Sequence, residues 1–106
     1  MAWIYLIAAG ILETLWAVAM KASNGFTLLI PSLITVLAMI GSVALLALAM
    51  KTLPLGTAYV VWTGIGALGA VLVGILIFRE PVTAPRLLYM ALLLIGIIGL
   101  KITSAE

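Results

Sequence analysis

The chain of 106 residues contains no cysteine and no histidine, and neither aspartate nor glutamine occurs in it. No disulfide framework is available, and cysteine usage says nothing about redox compartment. A Cys/His metal site, a Ser-His-Asp triad and an intramembrane pair of catalytic aspartates all lack their residues. Charge is scarce as well: 8% of residues are charged, where a soluble domain carries about 25%. The net charge of +2 is too small to suggest a nucleic-acid partner. Serines and lysines remain, but the lysines stand at segment ends, away from the apolar middles. Neither an enzyme nor a cofactor or metal is expected.

What the chain does have is apolar: 67% of its residues are hydrophobic. Four runs approach or exceed the roughly 20 residues that span a bilayer, at about 2–20, 28–50, 55–78 and 86–103. Lys21-Ala22-Ser23-Asn24-Gly25 follows the first, with a glycine suited to a left-handed helix end. Pro31 is tolerated near the first turn of the second run, and Lys51-Thr52-Leu53-Pro54 ends it. The polar stretch 79–85 separates the last two. The charge-free core of the fourth run, 87–100, is short, so Arg86 and Lys101 snorkel from its ends. Trp3 and Tyr5 fit an interfacial aromatic belt. The N-terminus does not read as a cleavable signal, because a basic leader is missing and Glu13 interrupts the apolar stretch. The expected fold is an all-α integral membrane protein, one four-helix transmembrane domain over residues 1–106 with no linker.

Four spans put Lys51 and Lys101 on the side of the N-terminus and Lys21, Arg79 and Arg86 on the other. Orientation follows a bias in Lys and Arg between the two sides, and two against three is hardly a bias. Insertion in both orientations, and with it an antiparallel dimer, is one reading. The other is that a single extra charge suffices to orient the chain. Charge alone leaves both open.

Glu13 is the one charged side chain among the first twenty residues. A carboxylate at mid-bilayer depth costs roughly 2.5–3.5 kcal/mol on insertion scales, and such residues mark functional sites by default. The alternative is a structural carboxyl, protonated and bonded to a neighbouring helix. Gly10, Glu13, Ala17 and Met20 share one helical face, and Trp16 lies three residues from Glu13. Gly10 leaves room beside the carboxyl, or permits close helix packing. On the third helix, Tyr59 and Trp62 are three apart. Buried Tyr and Trp usually find partners for their polar hydrogens, so a facing carboxylate is one reading and a pair of core aromatics the other. Gly64 and Gly66 each weaken that helix by about 1 kcal/mol relative to Ala and are the expected bend or hinge. Gly69, Ala70 and Gly74 continue a small-residue face. On the second helix, the central Ser42 hydroxyl can orient a carboxylate or bond back to its own helix. On the fourth, Gly96 and Gly99 point to packing or dimerisation.

A carboxylate that binds either a proton or a substrate cation, but not both, makes the two compete. Exposed alternately to each side of the membrane, such a site gives proton-coupled antiport. Trp16, Tyr59 and Trp62 would add cation–π attraction and hydrogen bonds. Four helices are too few to enclose a watery path, so a second copy is required. An antiparallel second copy would supply what inverted repeats supply in larger transporters.

These residues resemble the small multidrug resistance family along the full chain, and its guanidinium-exporting branch most. The carrying motifs are Trp3, Gly10-x-x-Glu13-x-x-Trp16-Ala17, Lys21-x-Ser23-x-Gly25-Phe26, the long run from Lys51 to Ala67, and the ending Gly96-Ile-Ile-Gly-Leu-Lys101. The resemblance implies an antiparallel, dual-topology homodimer in a bacterial inner membrane that exchanges guanidinium for protons at one site shared by two Glu13 side chains. It implies that Trp16, Ser42, Tyr59 and Trp62 bond to or flank the glutamates, that Gly64 and Gly66 bend helix 3, and that helix 4 mediates dimerisation. Trp16 beside the glutamate and Trp62-Thr63-Gly64 look like the guanidinium branch, whereas drug exporters typically carry Ser at the position of Thr63. The second helix is less aromatic here, with Val43, Ala44 and Leu45 in its interior. Small side chains there would admit alkylated guanidiniums. The alternatives are a promiscuous quaternary-ammonium exporter of the same family and, from a different class, a structural or energy-coupling membrane subunit.

Overall fold

Helix length in a membrane protein is set by the bilayer, and the four helices of this chain obey that limit. A computed structural model describes residues 1–103; residues 104–106 of the expected domain lie outside the described residues. The helices are α1 (Ala2–Ala22), α2 (Leu29–Ala49), α3 (Leu55–Leu76) and α4 (Ala84–Thr103). Twenty to twenty-two residues each, at about 1.5 Å of rise per residue, match a hydrocarbon core of about 30 Å. All four are long and apolar enough to cross a membrane.

The ends depart slightly from the apolar runs, for local reasons. α1 continues through Lys21 and Ala22, and Ser23 then closes it. The Ser23 hydroxyl donates to the Met20 carbonyl at 2.6 Å and accepts from the Phe26 N–H at 2.9 Å. Left-handed backbone follows at Asn24, Gly25 and Phe26 (φ 51°, 69° and 65°). Gly25 takes the role expected of it, but it shares the turn with two residues that carry side chains. α3 stops at Leu76 rather than 78. Arg79 turns left-handed (φ 57°), and the Glu80 N–H donates to the Gly74 carbonyl at 3.0 Å. α4 starts at Ala84, two residues before the expected start. Thr83 makes this possible: its carbonyl accepts the Leu87 N–H at 3.1 Å and its hydroxyl accepts the Arg86 N–H at 3.3 Å. Pro85 costs nothing there, because N–H groups of a first helical turn have no partner within the helix.

α1 packs against both α2 and α3, whereas α4 packs on α3 alone. The core comprises Ala2, Leu6, Ala9, Leu46, Ala49, Leu53, Ala58 and Val61. Four of those eight are alanines, which let helix backbones approach closely; in lipid, where the tails are as apolar as leucine, close packing drives association. No residue of α4 is buried. Large apolar side chains such as Ile4, Ile11, Leu37, Leu72 and Ile95 lie on the outside, as expected of a surface that meets acyl chains rather than water.

Candidate functional site

Glu13 projects from the middle of α1 toward α3. Its carboxyl group sits against Gly66: a Cβ at that position would lie 2.5 Å from Glu13 Cδ and 2.7 Å from Cγ, and closer still to Oε1. One turn earlier, Gly10 receives Ile65, whose Cγ2 would be 2.6 Å from an added Cβ. One residue later, the Thr14 side chain fills the space at Gly69. The Thr14 hydroxyl lies 3.3 Å from the Gly10 carbonyl of its own helix and 3.3 Å from the Gly66 carbonyl of α3. It has one hydrogen, so it serves one of them at a time. Three glycines thus build a seam between α1 and α3, and the carboxyl is lodged in its middle.

A second polar chain crosses the α1–α2–α3 interface. Ser42, fully buried on α2, donates to the Ala9 carbonyl of α1 at 2.6 Å. It accepts the Trp62 indole N–H from α3 at 3.0 Å. Tyr59 packs beside Trp62, with ring centroids 5.6 Å apart and planes tilted by 54°. Tyr59 remains exposed.

Glu13 and Trp16 stand outside these bonds. Among the described residues, Glu13 Oε1 and Trp16 Nε1 are buried polar atoms with no hydrogen-bond partner. Three of the five described Lys and Arg side chains are engaged at helix ends: Lys21 stacks over Phe78 at 5.9 Å, Lys101 over Trp3 at 5.1 Å, and Arg86 pairs with Glu80 at 3.1 Å. No described ion pair involves Glu13. A buried, unpaired carboxylate oxygen is a costly arrangement unless something else occupies it; a proton or a cation would do so.

The sequence offered the carboxyl as one partner for Ser42 and Trp62. In the structure Ser42 bonds to Ala9 and to Trp62, and neither side chain is bonded to the carboxyl. Gly10 faces Ile65 rather than open space. α3 runs as one continuous helix through Gly64 and Gly66. Both sit at close contacts, Gly66 with Glu13 and Gly64 with Ile97, whose Cδ1 would be 2.8 Å from an added Cβ. Gly96 and Gly99 have open space around them. Thr14 was missed altogether. The available signal was a polar side chain in mid-helix, four residues after a glycine and next to the carboxylate.

The family model for "Small Multidrug Resistance protein" matches residues 1–93. Proteins named "Guanidinium exporter" are similar over 104 residues, or 98% of this chain. That of Escherichia coli (strain K12) is 57% identical and covered to 99% of its length. Those of Yersinia pestis and Citrobacter freundii are 56% and 55% identical, covered to 100% and 99%. A family match across most of the chain, and identity above one half along nearly all of it, carry one conclusion: this multi-pass membrane protein belongs to the small multidrug resistance family.

Proposed function

We propose that the chain exports guanidinium in exchange for protons, as an antiparallel homodimer whose two Glu13 carboxylates share one site. The observation that carries this reading is the Glu13 carboxyl, lodged at mid-membrane with a buried oxygen that no described residue satisfies. The names of relatives 55–57% identical to this chain supply the substrate. Guanidinium is planar and presents a fork of N–H donors that matches a carboxylate two bonds at a time. A protonated carboxyl has lost the charge that attracts it. Proton and cation therefore exclude each other, and each must leave before the other binds.

The neighbouring groups suit that exchange. The Trp62 indole is fixed by its bond to Ser42, which leaves its face available to a cation. The unpartnered Trp16 N–H is a donor held in reserve for a carboxylate. Homodimerisation is supported by α4, which buries nothing in its own chain while Gly96 and Gly99 offer a flat approach to a partner helix. The near balance of loop charges, two against three, favours copies of opposite orientation.

The test uses the purified chain alone in liposomes. An outward guanidinium gradient should drive proton entry, and Glu13→Gln should abolish it, because an amide cannot exchange a proton for a cation. Coupled flux retained in that variant overturns the mechanism. Tetramethylammonium or tetraphenylphosphonium transported in preference to guanidinium would establish the multidrug reading instead.

A further inference from the structure

On one flank, α1, α3 and α4 leave an apolar groove of about 650 Å³. It runs from Trp3 to Thr14 on α1, from Val61 to Val73 on α3, and from Leu94 to Ile102 on α4. The twelve residues on α1 rise about 17 Å, close to one leaflet's share of a hydrocarbon core about 30 Å thick. On α1 and α4 the groove therefore extends from one membrane surface to about mid-bilayer; on α3 it continues to Val73, three residues before that helix ends on the far side.

Apart from Thr14 at its inner end, whose hydroxyl is bonded within the α1–α3 seam, its polar groups are gathered at the surface end. Trp3, near the start of α1, and Lys101, near the end of α4, both line it there, with the ammonium 5.1 Å over the indole ring. A ring face uses none of the ammonium's hydrogens in a directed bond, so its donors stay available. The one described ion pair, Arg86–Glu80, belongs to the other end of α4. An apolar trough at least one leaflet long, with a free ammonium at the depth of the headgroups, matches a phospholipid: chain along the trough, phosphate at Lys101.

The groove lies on the opposite side of α4 from its glycines. Gly96 and Gly99 border a separate hollow with Val60 of α3. At 3.6 residues per turn, Leu94 and Gly96 point nearly opposite ways around α4. A copy seated on the glycine face leaves the groove turned to the bilayer.

The geometry points to a site for one anionic phospholipid, its acyl chain in the α1–α3–α4 groove and its phosphate held by Lys101. The site does not rest on the antiport reading, since it uses neither Glu13 nor the Ser42–Trp62 chain.

Native mass spectrometry of the purified chain with equal phosphatidylglycerol and phosphatidylcholine tests it. Wild type should retain phosphatidylglycerol preferentially. Lys101→Gln should reduce that preference about fivefold, the worth of one lysine near an anionic headgroup. Ile98→Trp, which fills the groove, should lose both adducts while keeping guanidinium-driven proton flux. Equal retention of the two lipids by wild type, or an unchanged preference in Lys101→Gln, overturns the proposal. So does rapid disulfide formation between copies of Ile98→Cys in membranes, which would mean that a second copy covers the groove; the chain has no other cysteine to confuse that result.

Discussion

Replacing Gly66 and Gly64 by alanine, one at a time, separates two explanations for a pair of glycines in α3. At Gly66 the new methyl would fall 2.5 Å from Glu13 Cδ. Carbon atoms rest at about 3.5–4.0 Å, so the carboxyl must retreat by about 1 Å. A misplacement of that size at a binding centre can cost about 100-fold, and that loss of guanidinium affinity is expected in Gly66→Ala. At Gly64 the methyl meets Ile97 Cδ1 at 2.8 Å and Leu93 Cδ1 at 3.4 Å, both far ends of flexible side chains on α4. Crowding there costs about 1–3 kcal/mol, against about 1 kcal/mol gained by removing a glycine from a helix. Gly64→Ala should therefore bind guanidinium within a few-fold of wild type. Titration of each purified variant with guanidinium gives the affinities, and liposome flux gives the turnover. Wild-type affinity in Gly66→Ala would refute the argument from contact. If both variants bound normally and both failed to transport, the glycines would be a hinge, as their place in the sequence first suggested.

Ser42→Ala removes the acceptor of the Trp62 N–H and the donor to Ala9; it should lower stability by about 1–3 kcal/mol, and an unchanged melting temperature in detergent would sink that claim. Thr14→Val keeps the shape that fills Gly69 but deletes the bond to Gly66; the expected loss is about 0.6 kcal/mol and at most about 1.7, read as a small drop in thermal stability, and a loss several times larger would mean that the hydroxyl has another partner. Arg86→Gln breaks a partly exposed ion pair and should change stability by less than about 1 kcal/mol; a larger drop in melting temperature would show that the pair anchors α4.

The fold was legible because a bilayer writes its thickness into a sequence as run length. Four apolar runs gave four helices, and the errors were at ends decided by single polar atoms: the Thr83 hydroxyl that starts α4 early, and the Arg79 turn that finishes the chain's exit from α3. The candidate site was legible in its members and less so in its wiring. Glu13 stood out because its charge is expensive where it sits. Ser42 and Trp62 stood out as polar atoms in apolar helices, but which polar atom each would choose depends on helix rotation, and periodicity does not fix rotation to within one hydrogen bond. Thr14 was passed over because its neighbour Glu13 dominated the same turn. Its contact at Gly69 depends on how closely α1 approaches α3, a distance set by both helices together.

α4 packs its backbone on α3 alone, meets α1 through Lys101 and Trp3, and buries none of its residues, which divides the chain into two parts with different constraints on substitution. A substitution in α1, α2 or α3 meets the core, the glycine seam or the Ser42 chain, and must be compatible with folding. Most substitutions on α4 meet only what lies outside the chain. The helix is thus freer to vary without unfolding the chain, and changes there would alter what its outer face meets while leaving the Glu13 seam intact.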